Sequence, residues 1–490
     1  MSLISSRLLT EPAPLSWIVH QRWHPWLVLG LVCVGAFVGQ LDATIVQLAL
    51  PSLGATFDAP LQHVSWVALA YLLAFASFLP IFGRLCEMFG RKSLYIVGYA
   101  LFIVASALCG LAATLEQLLL FRVLQGIGGS LLGANSIAIL VATVPTEARG
   151  RALGYFAAAQ AIGMSAGPAL GGFILANLGW RWIFWVTVPF GALAIIIGWL
   201  ALPRSTIGAR KSFDFGGALL IGPALILIVA TLNHMSHWGL FSPVTLGSFS
   251  LAALLLWLLA RQERASSSPL IDPRLFQSPS FRCGTLAVIL AYALLYGTFF
   301  LMSFALGHGY GEPLAEVGLR LAIVPVAIGL TAPFSARIKD RMGEGLISVV
   351  AMLLCGLGVT IMMLSVGVSP NHRLLDTMAF TLIGIGLGLF IAPTNNWTIA
   401  SVPAELAGAA GSTLNLMRVL GTSLGVAVGA TTLAWRLSEV TGKDRDWLTA
   451  DSESLLTAVH ESLPALLVIA VAAALVAWRG APAGKAAQLT

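Results

Sequence analysis

The sequence predicts an all-α polytopic membrane protein with fourteen spans, two six-helix bundles plus two extra central helices. Three observations carry this. Of 490 residues, 58% are hydrophobic and only 10% charged, where a soluble domain carries about 25% charged residues. Fourteen apolar segments are long enough to cross a bilayer: 26–48, 64–82, 94–114, 118–142, 153–176, 182–202, 214–232, 244–260, 283–305, 317–335, 346–367, 376–396, 408–433 and 462–478. Two loop motifs also recur in equivalent places. Arg84-Leu85-Cys86-Glu87-Met88-Phe89-Gly90 after the second span is echoed by Arg337-Ile338-Lys339-Asp340-Arg341-Met342-Gly343 after the tenth. Val144-Pro145-Thr146-Glu147-Ala148-Arg149-Gly150 after the fourth is echoed by Val402-Pro403-Ala404-Glu405-Leu406-Ala407-Gly408 after the twelfth.

The organisation follows from these repeats. Residues 1–25 form a cytoplasmic tail, 26–202 one six-helix bundle, and 283–478 the other. Between them, 203–282 holds an inserted helix pair (214–232 and 244–260) and a polar linker carrying Ser266-Ser267-Ser268-Pro269, and 479–490 is a second cytoplasmic tail. Two six-span repeats around a central path is an architecture of secondary transporters. Nineteen of the 27 Lys and Arg residues fall on the side of the N-terminus, among them Arg7, Arg210, Lys211 and Lys485. Six, including Lys443 and Arg445, fall on the other side. Positive charge concentrates on the cytoplasmic side of membrane proteins, so both termini are expected inside the cytoplasmic (inner) membrane. The net charge of +6 is thereby a topology signal, and nucleic acid is not an expected partner. The five cysteines lie in spans or an inside loop, without metal-ligand spacing. No secretory signal precedes the first span, which is expected to direct insertion itself.

Taken along the chain, the first chemistry is Asp42, the one acidic residue well inside a span; Glu116, Asp214 and Asp376 lie at span ends. Ionisable groups inside a bilayer are costly and mark function. Asp42 lies roughly 9 Å below the outer end of span 1, and Arg122 roughly 6 Å below that of span 4. The matched depths suggest that both face the central path and that Asp42 exchanges a proton as it pairs with Arg122 or releases it. Burial disfavours a charged carboxylate while a guanidinium favours it. A static buried pair that orders two helices is the alternative. Span 4 adds Gly126, Gly129, Gly133 and Ser136 on the same face, with Gln125 beside it.

In span 5, Gly163, Gly167 and Gly171 recur every four residues, making a bare groove into which another helix can press. Pro168 removes a backbone donor beside it, and Gly172 follows the groove. Span 9 carries Tyr292, Tyr296, Phe299, Phe300 and Met302, a set suited to a greasy binding surface or to ordinary packing. Span 12 ends in Pro393-Thr394-Asn395-Asn396-Trp397, whose amides either line a pathway or cap the helix. In span 13, Gly408, Gly411, Asn415, Arg418, Thr422, Gly425 and Gly429 form one small or polar stripe. Arg418 lies near the midplane with no acid on its own face, so it is expected to bond backbone carbonyls or an anionic group on a partner helix, more in packing than in substrate contact. The segment from about Arg436 to Glu461 reads as a solvated outside loop with room for a surface helix.

Several of these stretches resemble one family. Gly163 to Gly172 is similar to the antiporter motif G-x-x-x-G-P-x-x-G-G of proton-coupled exporters in the major facilitator superfamily. Leu41-Asp42-Ala43-Thr44-Ile45-Val46-Gln47-Leu48-Ala49-Leu50-Pro51 resembles the first-span motif of that superfamily's fourteen-span drug:proton antiporter branch. Gly83 to Lys92 resembles its cytoplasmic motif, Leu118 to Gly129 its fourth-span motif, and Trp180 to Gly191 its approach to the sixth span. The resemblance implies the major facilitator fold, alternating access and export of small amphiphilic substrates against protons, with no cofactor beyond the proton gradient. It assigns proton coupling to Asp42 and Arg122, a hinge to Gly163, Gly167, Pro168, Gly171 and Gly172, and a cytoplasmic latch to Gly83, Arg84, Glu87, Gly90, Arg91 and Lys92. Glu87 stands where Asp is usual and Met88 where Arg is common; Gln47 and Thr187 each replace a usual Asn.

Gln125, Tyr292, Tyr296, Phe299, Asn395, Asn396, Asn415 and Arg418 are the candidate substrate path. With essentially one membrane carboxylate, the chain is expected to favour neutral, zwitterionic or anionic substrates over organic cations. A narrow exporter of one metabolite, such as a siderophore or antibiotic, is the alternative; a proton-coupled importer fits the fifth-span motif less well. A non-transporting sensor or scaffold would not need the matched pair. No G-x-x-x-x-G-K-[S/T] supports an ATP-driven pump and no catalytic cluster supports an enzyme. The protein is expected to act as a monomer in the lipid bilayer, and the resemblance leaves room for a periplasmic adaptor protein.

Overall fold

The computed structural model describes residues 11, 14–205, 213–239, 241–367, 372–442 and 447–481. The basic residues Arg7, Arg210, Lys211, Lys443, Arg445 and Lys485 lie outside them, as do most of residues 1–13 and residues 482–490. Fourteen helices among the described residues are long and apolar enough to cross a membrane. They are α1 (His24–Phe57), α2 (Leu61–Phe89), α3 (Arg91–Leu111), α4 (Leu115–Thr143), α5 (Arg149–Asn177), α6 (Trp182–Ala201) and α7 (Phe215–Trp238). There follow α8 (Pro243–Ala265), α9 (Pro279–Phe304), α10 (Leu314–Met342), α11 (Glu344–Ser365), α12 (His372–Ala400), α13 (Ala407–Thr441) and α14 (Ser452–Gly480). The described residues contain no strand.

The packing repeats eight helices apart. In the first half α1 packs on α5, α4 on α2 and α3, and α6 on α3; in the second α9 packs on α13, α12 on α10 and α11, and α14 on α11. The halves meet through α5 on α10 and α2 on α13. Helix α7 lies over that second seam: Asn233 Nδ2 donates to Gln62 O at 3.0 Å, and Thr431 Oγ1 of α13 donates to Leu232 O at 2.5 Å. Helix α8 packs chiefly on α7. An even number of crossings puts both chain ends on one face, here the near face; the other is the far face.

Two expectations need correction. The stretch Arg436–Glu461 is no solvated loop: α13 runs to Thr441 and α14 starts at Ser452, leaving a short connection whose Trp447 is 2% exposed. Trp447 Nε1 donates to Ala59 O at 3.1 Å, and its ring occupies the space that a Cβ added at Gly54 would need. A second-half loop is thus anchored in the far-face turn of the first half. Span 1 was expected to end before Pro51, but α1 continues through it to Phe57. One lost backbone bond does not end a helix that is held on all sides by its neighbours.

Candidate functional site: a buried ion pair behind a central cavity

Four helices bring their few polar groups to one point in the first half. Asp42 of α1 and Arg122 of α4 form a buried salt bridge, with Arg122 Nη1 2.8 Å from Asp42 Oδ2 and 3.1 Å from Oδ1. Arg122 Nε donates to Val67 O of α2 at 2.9 Å. Gln125, one turn along α4, donates from Nε2 to Asp42 Oδ1 at 2.9 Å and to Ser106 Oγ of α3 at 2.8 Å, while its Oε1 accepts from Arg122 Nη1 at 2.5 Å. The close approach of α4 to α2 depends on Gly126, where an added Cβ would lie 2.9 Å from Ala74 Cβ and 3.2 Å from Phe75 N. Two charges are tolerated in this apolar setting because each is neutralised by the other and both carry further hydrogen bonds.

Asp42 and Arg122 were expected to face the central path. In this conformation they do not: Asp42 is 0% and Arg122 1% exposed, and neither borders the cavity. Tyr71 stands between, its ring 4.4 Å under the Arg122 guanidinium on one side and forming the cavity wall on the other. Gln125, expected on the substrate path, belongs instead to the sealed cluster.

The central cavity encloses 280 Å³ between the two halves. Gln40 of α1, Tyr71 of α2, Gln160 of α5, Tyr292 and Tyr296 of α9, Asn395 of α12, and Asn415 and Arg418 of α13 contribute to its wall. Phe299 does not: it is 1% exposed and packs edge-on against Tyr296 at 5.9 Å. Asn396 is exposed and also lies off the cavity, because consecutive helical positions point about 100° apart. Nor do Asn395 and Asn396 cap a helix, since α12 continues to Ala400. Among the described residues Arg418 bonds neither a backbone carbonyl nor an acid on another helix; Nε and Nη2 donate to Asn415 Oδ1 of its own helix at 3.2 and 2.6 Å. The stripe on α13 is divided. Gly408 and Gly411 face open space, whereas Gly425 packs on α9 with an added Cβ 2.8 Å from Ala293 Cα.

The cavity opens towards the near face. A vestibule of 900 Å³ there is lined from both halves, including Gly83, Arg84, Glu87, Gly408 and Ser412, and Gly133 and Asn415 border both spaces. Within the expected latch, Arg84 Nη1 meets Glu87 Oε2 at 2.9 Å, an ion pair inside one turn of α2 rather than across the halves. Gly90, at φ +103°, makes the sharp turn into α3. Arg91 donates its backbone N–H to Ser205 Oγ at 2.7 Å, and Lys92 donates its own to Glu11 Oε1 at 3.0 Å. Lys92 is itself buried. Glu11 and Ser205 were not anticipated, being isolated polar residues outside every span.

At the far face the halves close. The glycine groove of α5 receives α1: a Cβ at Gly163 would lie 3.0 Å from Phe37 Cα, one at Gly167 2.8 Å from Thr44 Cβ, and one at Gly171 2.7 Å from Ile45 Cγ1. Gly172 turns the other way, and its added Cβ would lie 3.0 Å from Gly318 Cα of α10. Pro168 approaches the same place, its carbonyl oxygen in contact with Gly318. The α5 motif therefore touches the α1 segment that carries Asp42 and also the second half. Gln40, Tyr71 and Gln160 also border the cavity; being uncharged they do not stand out in the sequence, although each is a polar side chain inside an expected span.

Comparison with known proteins agrees with this architecture. A family model described as Major Facilitator Superfamily matches residues 32–426. The chain is 32% identical over 421 residues to the tetracenomycin C resistance and export protein of Streptomyces glaucescens, covering 86% of this chain and 78% of that one. It is 30% identical over 403 residues to the riboflavin transporter RibZ of Clostridioides difficile (82% and 87%). With the multidrug resistance protein Stp of Mycobacterium tuberculosis it shares 29% over 409 residues (82% and 75%). Among solved structures, a bacterial homolog of the human lysosomal transporter Spinster superposes with TM-score 0.66 at 14% identity over 94% of this chain and 97% of that one. A D-xylose–proton symporter gives TM-score 0.63 at 14% identity, with 93% and 98% covered.

Proposed function

This chain belongs to the Major Facilitator Superfamily, and from that premise we propose that it is a proton-coupled antiporter exporting amphiphilic small molecules by alternating access. In this reading it lies in the cytoplasmic membrane with the near face, and both termini, in the cytoplasm. The cavity is then open to the cytoplasm, loads substrate from there, and discharges it when the far face parts. Asp42 is the proton carrier, Arg122 its counter-charge and Gln125 their common partner. The observation that carries the reading is the sealed Asp42–Arg122 pair, held at 2.8 Å just behind the cavity wall on helices that reach the second half through the α5 motif.

A static structural pair would need no such connection. Here the segment Phe37–Ile45 of α1 flanks Asp42 and lies in the α5 groove, while α5 lies on α10. Protonating Asp42 removes its attraction for Arg122, loosens α1 against α4, and is felt at the far-face seam. The export reading draws on relatives named for drug resistance and export. A second reading, a narrow metabolite transporter, is favoured by the similarity to a riboflavin transporter.

Reconstitution into vesicles with an imposed pH gradient and a panel of amphiphilic compounds separates these. The account expects substrate movement driven by the gradient and abolished by a protonophore. Asp42→Asn is expected to lose gradient-driven transport while still binding substrate. Full gradient-driven transport by Asp42→Asn rules the carrier role out.

A further inference from the structure

The central cavity carries an unbalanced charge. Arg418 is half-buried in its wall, and among the described residues its guanidinium meets neutral groups, the Asn415 carbonyl oxygen at 2.6 Å and Tyr292 through both its hydroxyl and its ring face. Among the described residues no carboxylate lies within salt-bridge distance of it, and no Asp or Glu borders the cavity. Asp42 cannot supply the balance, because it is sealed behind Tyr71 and already paired with Arg122. A cation near the middle of a membrane protein is expensive unless something answers it. Asn395 borders the same cavity, and among the described residues its buried side-chain oxygen has no hydrogen-bond partner. The remaining wall is largely apolar, and Tyr71, Tyr292 and Tyr296 contribute aromatic faces to it.

We infer that this cavity is a binding site for amphiphilic organic anions, compounds with one carboxylate or comparable acid on a flat apolar body. The acid group sits on the Arg418 guanidinium, which offers a planar fork of donors matched to two acid oxygens. Asn415 holds that fork in place from one turn below. The apolar body lies against the tyrosine faces, and a hydroxyl or N–H on the ligand answers Asn395. Organic cations are rejected, since they meet Arg418 with no carboxylate to offset it. The inference names the substrate class of the transport reading above and rests on that reading for its physiological sense; the site itself does not depend on proton coupling.

The test is equilibrium binding to the full-length protein in lipid nanodiscs at pH 7, which requires no gradient. The probes are the acetates of naphthalene, biphenyl and anthracene, each beside its neutral acetamide and its methylammonium counterpart. A hydrogen-bonded charge pair of this kind predicts at least about tenfold tighter binding of the anion than of its matched cation. Arg418→Gln is expected to erase that preference, and Arg418→Lys to keep part of it. Asn415→Asp, which keeps Arg418 and adds a neighbouring carboxylate, is expected to erase it too. Thermal melting confirms that each variant is folded. If no anion binds in the series, if cations bind as well as anions, or if both erasing variants keep the wild-type preference, the inference is overturned. Anion binding without gradient-driven transport leaves the site standing and removes the antiport reading; gradient-driven transport of neutral compounds without anion preference does the reverse.

Discussion

Arg122 is held from three directions: by Val67 O of α2, by the Asp42 carboxylate of α1 and by Gln125 on its own helix. Removing its charge leaves Asp42 buried with a single amide donor, and breaking a buried pair in this way costs about 3–5 kcal/mol. Arg122→Gln is therefore expected to lower the unfolding midpoint strongly. The double variant Asp42→Asn with Arg122→Gln, which buries no charge, is expected to recover most of that loss. Thermal unfolding of the purified variants checks both; a double variant no more stable than Arg122→Gln would contradict the pairing described. The pair was legible in the sequence because ionisable side chains are so scarce in the spans that two at matched depth stand out. What could not be read was azimuth. Distance along a helix gives height in the membrane, but whether a side chain points to the cavity or behind Tyr71 depends on helix rotation, which neighbouring helices set.

At the scale of elements, the far face is closed by two contacts of different kinds. One is backbone on backbone, Gly172 of α5 against Gly318 of α10; the other is Trp447 seated over Gly54 and bonded to Ala59. Gly172→Val leaves no room for α10, and overpacking of this kind costs about 1–3 kcal/mol. Trp447→Ala removes a large buried ring from the closed form, a loss of about 3–5 kcal/mol where the site does not collapse. Both changes act on the closed far face, so both are expected to move the population towards far-face opening. Spin labels at Thr56→Cys and Leu374→Cys, in a background without native cysteines, report it as a longer distance between the halves. An unchanged distance distribution in both would mean that these contacts do not hold the face shut. The glycine groove itself was legible, because four-residue spacing on a helix has only one geometric meaning. Trp447 was not. Hydropathy ended span 13 and began span 14 at polar residues, although helical hydrogen bonding continues through Thr441 and from Ser452, and a lone Trp among acids and bases gave no sign of being buried.

For the whole molecule, the duplicated motifs anticipated two similar halves, and the helix packing recurs eight helices apart. The state of the transporter was not legible at all. Opening to one face or the other buries nearly the same apolar helices, so composition and periodicity are blind to it; the difference lies in a few contacts across the seams. Proton coupling requires that the two states hold different numbers of protons, and a ligand shifts an equilibrium only by its differential affinity for the two states. The structure has the near face open and the Asp42–Arg122 pair intact, and in the proposed antiport cycle this is the state assigned the fewer protons. Acidification must then move the population away from it.

The most direct test is the pH dependence of the Thr56→Cys–Leu374→Cys distance in lipid nanodiscs, measured without substrate in the wild-type background and with Asp42→Asn. The account predicts that lowering the pH lengthens this distance in the former, and that with Asp42→Asn the distance no longer responds to pH. The same pH response with and without the Asp42 carboxyl would contradict it.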